Sequence, residues 1–224
     1  TIKKYEKFYP KKFKKVPKLF SKKDYFKASA NNKAKAITSI AMFYDVQDPN
    51  KFTSEIHQGE IRPQNSDAFK NLLLIGIGGS VLGAQLLNKA LVSKKDRMHF
   101  YFLDNTDPDG IDQIMSEIGE KLENTLTLVI SKSGETKEMR NTMLEVRKFY
   151  KDSGLDFSKH AVAVTTENSK LYLLANNESW LNCFPMWEWV GGRTSILSSV
   201  GILPAALNGI DIKKLILGAK KMDK

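Results

Sequence analysis

The sequence has 224 residues, of which 42% are hydrophobic and 27% charged, and it carries a formal net charge of +10 at pH 7. Its apolar runs are shorter than the roughly 18 residues that cross a bilayer, and its single cysteine, Cys183, excludes an internal disulfide framework, so we expect a cytoplasmic protein without a membrane partner. The three histidines are far apart and have no cysteine neighbours, so no metal site is predicted.

Lysines cause the positive charge, and many of them lie near the start of the chain. Such a run attracts polyanions of any kind. The sequence contains no zinc-finger spacing, no aromatic RNP-like box and no glycine-rich single-strand motif. We therefore favour a solvated lysine face over an arm that binds nucleic acid, and a polyanion-binding protein is kept as an alternative function.

The N-terminal part is predicted to be a lysine-rich lead-in to the main domain. One helix is predicted at about residues 24–44, followed by a loop marked by Pro49 and Pro63. After the loop the sequence changes character, since short runs of Leu, Ile, Val and aromatic residues recur. We predict two parts, an N-terminal extension (1–64) and an α/β domain (65–224).

Four of these apolar runs are predicted to be strands, and three amphipathic segments between them are predicted to be helices. The strands are expected at 72–77, 99–103, 126–130 and 161–165, and the helices at 81–91, 108–118 and 135–150. Because the strands do not alternate polar and apolar residues, both of their faces are expected to be covered. The β-α-β-α-β-α-β order predicts a doubly wound, mostly parallel sheet flanked by helices, with ligands beyond the carboxyl ends of the strands.

The third predicted strand ends in a polar segment, SKSGET, directly before a predicted helix. Amides at a helix N-terminus lack intrahelical partners and carry partial positive charge, so such a junction can bind an anion. The hydroxyls of Ser131, Ser133 and Thr136 can donate hydrogen bonds to phosphate oxygens, and Gly134 permits close approach of the backbone. We favour a phosphate site. The alternative is that Ser133 is only an N-cap and Thr136 only a first-turn hydroxyl.

The loop after the first predicted strand, GIGGSVLG, is similar to nucleotide-binding loops but matches neither pattern. The dinucleotide fingerprint fails because Val81 stands where its last glycine should be, and the P-loop pattern fails because no lysine follows the later glycine. What remains is a tight turn in which Gly78 and Gly79 expose backbone N–H groups and Ser80 offers a hydroxyl. No nucleotide or other cofactor is predicted, and the alternative is a turn made only for packing.

A third polar cluster combines two glycines with an arginine. Gly191, Gly192 and Arg193 come directly before an apolar run at 196–207 that is predicted to be helical. Arginine is a permanent cation with a planar fork of donors, so in this position it can meet an oxyanion. A surface salt bridge, for example with Glu188, is the alternative.

The segments GIGGSVLG, SKSGETKE and VGGRTSILSSVGILPAA, in this order, resemble the glucose-6-phosphate isomerase family, whose sheets are sugar-isomerase (SIS) domains. The resemblance covers roughly residues 65–210, including the DNTDPDG loop. It implies a three-layer α/β/α fold of the SIS type and a homodimer. It also implies reversible isomerisation of glucose 6-phosphate and fructose 6-phosphate through a cis-enediol, in glycolysis and gluconeogenesis, without a metal or organic cofactor.

The resemblance also assigns roles to individual residues. The sugar phosphate would be held by Ser131, the backbone N–H of Lys132, Ser133 and Thr136. The sugar chain would contact Gly79 and Ser80. Arg193, with the Gly192 backbone, would stabilise the developing enediolate, and Glu138 matches an acidic position near the site.

The family's general-base glutamate, ring-opening histidine and a further lysine lie downstream of the GGR block, on segments that this sequence does not contain. We therefore expect the 224 residues to be the amino-terminal half of such an enzyme, which alone binds phosphosugar weakly and does not isomerise it. Two alternatives are a non-catalytic SIS phosphosugar sensor and another SIS enzyme, such as an amidotransferase isomerase half or a heptose-phosphate isomerase.

Overall fold

A sheet of five parallel strands organises the structure, a computed structural model that describes residues 49–91, 97–188 and 190–222. The strands are β1 (Asn71–Ile75), β2 (His99–Leu103), β3 (Thr125–Ile130), β4 (Ala161–Thr165) and β5 (Asn182–Pro185). Their spatial order is β2-β1-β3-β4-β5, and every neighbouring pair is parallel. This confirms the doubly wound α/β fold.

Seven α-helices accompany the strands in the described part of the chain. They are α1 (Pro49–His57), α2 (Leu82–Ala90), α3 (Pro108–Ile118), α4 (Lys137–Asp152), α5 (Lys170–Asn177), α6 (Ser199–Leu207) and α7 (Ile212–Met222). The helices form a layer on each face of the sheet. Leu72 and Leu74 of β1 belong to the core that contains residues of α1, α2, α6 and α7, whereas Leu73 and Ile75 belong to the core with α3, α4 and α5. Because all of β1 is buried, its sequence is apolar almost throughout.

Three local predictions were wrong. Residues 49–57 form a helix where a loop was predicted, since proline at the start of a helix loses no hydrogen bond. The helix predicted from residue 135 begins at Lys137. The apolar run at 196–207 is split between a kinked 3₁₀ segment, Gly192–Leu197, and α6, whose N-cap Ser198 accepts a hydrogen bond from the Val200 N–H.

The N-terminal part of the described chain packs on the sheet. Phe52 of α1 is buried and meets the ring of Phe184 on β5 edge to face, with 5.2 Å between the ring centroids. The division between 1–64 and 65–224 stays a prediction, and the helix predicted at 24–44 lies outside the described residues.

The strand order creates a crevice between β1 and β3. From β1 the chain passes through α2 to β2 on one side, and from β2 it crosses through α3 to β3 on the other side of β1. In open parallel sheets, such a reversal leaves a ligand-binding crevice at the carboxyl ends of the two strands. The loops at 76–80 and 131–136 follow β1 and β3 at this edge of the sheet.

In the described ranges, every helix is too short or too polar to pass through a bilayer. Nor do the described His, Cys, Asp and Glu side chains gather in groups of three or more that could hold a metal ion.

Candidate functional site

The loop after β1 and the GGR turn touch through their backbones. A Cβ atom added to Gly79 would overlap the carbonyl group of Gly192, so only glycine fits at position 79. The contact is secured by Ser195, whose hydroxyl lies 2.8 Å from the Gly79 carbonyl oxygen and 2.7 Å from that of Gly192. Ser195 is only 1% exposed. Two predicted site segments that are distant in sequence therefore form one unit.

The loop after β3 is a tight turn shaped by its own serines. Ser131 is buried, and its hydroxyl oxygen accepts a hydrogen bond from the Gly134 N–H at 3.1 Å. Ser133 is exposed, and its hydroxyl oxygen accepts from the Glu135 N–H at 3.1 Å. Gly134 has φ +68°, and a Cβ atom there would overlap the backbone nitrogen of Leu171 at the start of α5. The loop therefore requires glycine at this position.

The capping alternative for Ser133 was wrong. The N-cap of α4 is Thr136, which makes no side-chain capping hydrogen bond, and Ser133 lies three positions before it. A serine hydroxyl that accepts one hydrogen bond still has its proton to donate. Ser133 and Thr136 therefore keep O–H groups that helix capping does not use, at the N-terminal end of a 16-residue helix. That end of a helix favours anions.

Glu135 is the acidic residue of this loop, and its charge is paired. Its carboxylate lies 2.9 Å from the ammonium group of Lys170, with both side chains largely exposed. An exposed ion pair contributes little to stability, but it offsets a negative charge that would oppose an anion in the loop.

Lys132 connects the β3 loop to the segment before the GGR turn. Its Nζ donates hydrogen bonds to the carbonyl oxygens of Glu188 and Val190, the latter at 3.2 Å. Its own carbonyl oxygen accepts from the Thr166 N–H at 3.1 Å, which joins the loop to the end of β4. All three predicted segments are therefore linked at the carboxyl edge of the sheet.

Arg193 is exposed and forms no ion pair with any described residue. The salt bridge with Glu188 that was the alternative for this arginine is therefore not seen in the described ranges. Glu138 is also exposed, in the first turn of α4, and Ser80 ends the short 3₁₀ segment Gly78–Ser80. Gly78 in that segment has φ +56°.

The three histidines lie away from this edge. His99 begins β2 and His160 immediately precedes β4, which places both at the amino ends of parallel strands. The ring of His57 on α1 makes a hydrogen bond of 2.9 Å with the Leu207 carbonyl at the end of α6. Burial lowers the pKa of His57 and His160. Both rings make hydrogen bonds with backbone carbonyls, at a distance from the crevice.

Two contributors to the site were missed by sequence reasoning. Ser195 belongs to the VGGRTSILSSVGILPAA segment that carries the resemblance, but it was given no role of its own. The side chain of Lys132 was given no role because only its backbone matched the resemblance. Both act through hydrogen bonds to carbonyl groups distant in sequence, 116 positions for Ser195 to Gly79 and 58 for Lys132 to Val190. Sequence spacing alone does not show such partners.

Among curated proteins, the glucose-6-phosphate isomerase of Desulfitobacterium hafniense strain Y51 is 54% identical over 172 residues, which are 77% of this chain and 32% of that protein. The glucose-6-phosphate isomerase of Cyanothece sp. strain PCC 7425 is 50% identical over 172 residues, with the same coverage. The chain thus spans about a third of the length of the curated relatives it matches.

Among solved structures, a glucose-6-phosphate isomerase from Chlamydia trachomatis superposes with a TM-score of 0.62 at 29% identity, covering 81% of this chain and 31% of that chain. A hypothetical protein from Thermus thermophilus superposes with a TM-score of 0.70 at 26% identity, covering 89% of this chain and 45% of that one. The sequence profile of the family described as Phosphoglucose isomerase matches residues 30–224, which extends beyond the predicted resemblance at both ends. The chain belongs to the phosphoglucose isomerase family.

Proposed function

We propose that this chain forms the phosphosugar-binding part of a glucose-6-phosphate isomerase, which interconverts glucose 6-phosphate and fructose 6-phosphate through a cis-enediol. The observation that carries the proposal is the junction of three segments at one crevice. The hydroxyl-rich loop after β3, the glycine turn after β1 and the Arg193 turn are joined by the contacts of Lys132, Ser195 and Gly79.

In this proposal the phosphate binds at the loop after β3. Ser133 and Thr136 donate O–H groups, and the backbone N–H of Lys132 adds a further donor. Ser131 is almost fully buried, so it has a second task, which is to hold the turn through the Gly134 N–H. The partial positive charge at the start of α4 supports an anion at this place.

Arg193 is proposed to act on the reacting carbons. Removal of the C2 proton from glucose 6-phosphate leaves an enediolate whose negative charge is shared by O1 and O2. A guanidinium group is always protonated and can donate two parallel hydrogen bonds, so it stabilises this charge without a proton transfer of its own. The Gly192 backbone assists it, Gly79 and Ser80 contact the sugar chain, and Glu138 lies nearby as an acidic group.

The general base is proposed to come from outside these residues. The three histidines lie away from the crevice, and the relatives are about three times as long as the part they share with this chain. We therefore expect residues 1–224 alone to bind phosphosugar weakly and not to isomerise it. Measurable turnover by a verified polypeptide of residues 1–224 would contradict this.

Family membership also supports the wider proposal of a cytoplasmic, homodimeric enzyme of glycolysis and gluconeogenesis. Its partner is a small sugar phosphate, and neither nucleic acid nor membrane is part of the proposal.

The test is a calorimetric titration with 6-phosphogluconate, a stable sugar-phosphate acid, together with an isomerase assay of the full-length protein. The double variant Ser133→Ala, Thr136→Ala should lose binding. Ser153→Ala, which changes an exposed serine at the far end of α4, should bind like the wild type. Arg193→Gln should retain binding but lose at least about a hundredfold in kcat. Equal binding by the double variant and the wild type would place the phosphate elsewhere.

A further inference from the structure

The ammonium group of Lys132 makes hydrogen bonds to backbone carbonyls and does not point into the β3 loop as a free cation. An ammonium has three N–H donors. In Lys132, Nζ lies within hydrogen-bond distance of the carbonyl oxygens of Glu188 and Val190. A lysine within a phosphate-type loop is commonly read as a cation for the phosphate. Here its charge-assisted hydrogen bonds instead reach a segment 58 positions later in the sequence.

That later segment starts from the end of β5, where it is attached to the end of β4. The Met186 N–H donates to the Thr165 carbonyl at 2.7 Å, and the Met186 carbonyl oxygen accepts from the Thr166 hydroxyl at 2.9 Å. Between the end of β5 at Pro185 and the 3₁₀ segment that begins at Gly192, the chain forms no helix or strand in the described residues. Its backbone hydrogen bonds include Val190 N–H to the Trp187 carbonyl at 3.0 Å, and the side chain of Val190 is buried. Lys132 adds an attachment to the sheet, from the end of β3.

A second attachment comes from the other side of the crevice. Ser195 joins the turn to the Gly79 carbonyl in the loop after β1. Arg193 therefore lies between two anchors, Lys132 acting before it in the sequence and Ser195 after it. Arg193 is itself exposed. The position of its side chain therefore depends on the backbone of the turn, which these two anchors attach to the neighbouring loops.

We propose that the side chain of Lys132 is a positioning residue, which holds the Arg193 turn in a fixed place relative to the phosphate loop. Its backbone lies between Ser131 and Ser133, so a ligand that orders this loop also orders the turn through Nζ. The phosphate end and the reacting end of a substrate are thereby coupled. The naming of those two ends rests on the proposed function, whereas the mechanical link rests on the contacts alone.

The first test is hydrogen exchange in the ligand-free, full-length protein with Lys132→Met. Within 190–194, the amides of Val190 and Thr194 donate to the Trp187 and Gly191 carbonyls. These two amides should exchange about tenfold faster or more, because charge-assisted hydrogen bonds that restrain the turn are lost. The amides of β3 should be unchanged. Lys137→Met is the matched control, since Lys137 is exposed, lies close to the same loop and makes no ion pair with a described residue. Unchanged exchange at 190–194 in Lys132→Met would overturn the proposal.

The second test separates positioning from direct phosphate binding. Inorganic phosphate is titrated into the wild type, Lys132→Met and the double variant Ser133→Ala, Thr136→Ala. Lys132→Met should retain phosphate affinity within about threefold, while kcat falls about tenfold to a hundredfold, as is typical when a reacting group is misplaced. A loss of phosphate affinity as large as in the double variant, with kcat unchanged, would make Lys132 a phosphate ligand and overturn the proposal.

The outcomes also distinguish this inference from the proposed function. If the wild type binds neither phosphate nor 6-phosphogluconate, the proposed function fails, and the ligand-free exchange experiment still decides the role of Lys132. If Lys132→Met exchanges faster in β3 as well, the fold is affected. Lys132→Arg, which keeps the charge and N–H donors, should then exchange like the wild type at 190–194, and about tenfold faster exchange there would overturn the proposal.

Discussion

The hydroxyl of Ser195 lies 2.8 Å from the carbonyl oxygen of Gly79, a partner 116 positions earlier in the chain. The serine side of this hydrogen bond is buried, since Ser195 is 1% exposed. It joins the turn that carries Arg193 to the loop that follows β1. The contact is therefore both part of the packed interior and part of the candidate site.

Replacing Ser195 should affect stability and site geometry together. Ser195→Ala removes the single O–H donor that the Gly79 and Gly192 carbonyl oxygens share, and we expect a loss of about 1–3 kcal/mol in the free energy of unfolding. Urea unfolding measures the change. Thr194→Ala is the matched control because its side chain is exposed and its hydroxyl contacts the nearby Gly191 carbonyl at 3.2 Å. Equal midpoints for Ser195→Ala and wild type would mean that this hydrogen bond does not hold the turn.

The β3 loop should tolerate no side chain at Gly134. Gly134→Ala combines a left-handed backbone with overlap against Leu171, and we expect a loss of more than about 2 kcal/mol in the free energy of unfolding. Gly218→Ala is the control, because Gly218 lies in α7 with open space around it. That change should stabilise the protein by about 0.5–1 kcal/mol. Thermal denaturation of both variants would show opposite shifts, and a neutral Gly134→Ala would contradict the close packing of the loop on α5.

The Glu135–Lys170 ion pair should tune anion affinity more than stability. Lys170→Met leaves Glu135 unpaired, so 6-phosphogluconate should bind about threefold more weakly at low salt, and Glu135→Gln should bind it more tightly by a similar factor. The double variant should return close to the wild-type affinity. Calorimetric titration at two ionic strengths checks this, since the differences should shrink as salt rises. Effects of equal size at high salt would argue against a charge mechanism.

His160 should make the fold sensitive to mild acid. The ring is 0% exposed, its Nδ1 makes a hydrogen bond of 3.0 Å with the Thr125 carbonyl, and burial lowers its pKa, while Asp156 opposes and Lys159 adds to this effect. Because the folded-state pKa lies below the unfolded value of about 6.5, the unfolded state binds more protons. Stability is therefore fully present above pH 6.5 and decreases as the pH falls from there toward the folded-state pKa.

The measurement is the urea midpoint as a function of pH between about 5 and 7. His160→Asn should flatten the slope, which for one such group reaches at most about 1.4 kcal/mol per pH unit. Some slope should remain because burial also lowers the pKa of His57. His99→Gln, at an exposed position, is the control. An unchanged slope in His160→Asn would assign the acid sensitivity to other groups.

β1, β3 and β4 could be predicted from the sequence because they are buried on both faces and their sequences are largely apolar. The expectation of two covered faces was wrong for the edge strand β2, which is buried on one face only and was found because its residues are mainly aromatic. β5 could not, since Asn182–Pro185 has only four residues and is only partly buried. The helix α5 was also missed, although Ser169 caps it by accepting a hydrogen bond from the Tyr172 N–H at 3.0 Å. A serine followed by a short amphipathic stretch is a weak signal beside longer helices.

The candidate site divides in the same way. The hydroxyls of the β3 loop were predicted because ligands bind beyond the carboxyl ends of parallel strands. The guanidinium of Arg193 was predicted because an arginine beside two glycines can meet an oxyanion. The anchors were not predicted, because Lys132 and Ser195 bind backbone carbonyls, and every residue has one. Nothing in the identity of Glu188, Val190 or Gly79 marks it as their partner.

The contact between the Gly79 loop and the Gly192 turn bears on the order in which the protein forms. β1, β3 and β4 pair between segments that are closer in sequence. The Gly192 turn, in contrast, contacts Gly79 in the loop after β1, which lies much earlier in the chain. Contacts between residues that are far apart in sequence form slowly, and we expect this one to form late in folding. During synthesis the β3 loop would emerge well before Arg193, so the domain would pass through a stage in which the β3 loop has formed and the turn with Arg193 is not yet attached. Pulse-labelled hydrogen exchange should find β3 protected before 191–195, and simultaneous protection would contradict this order.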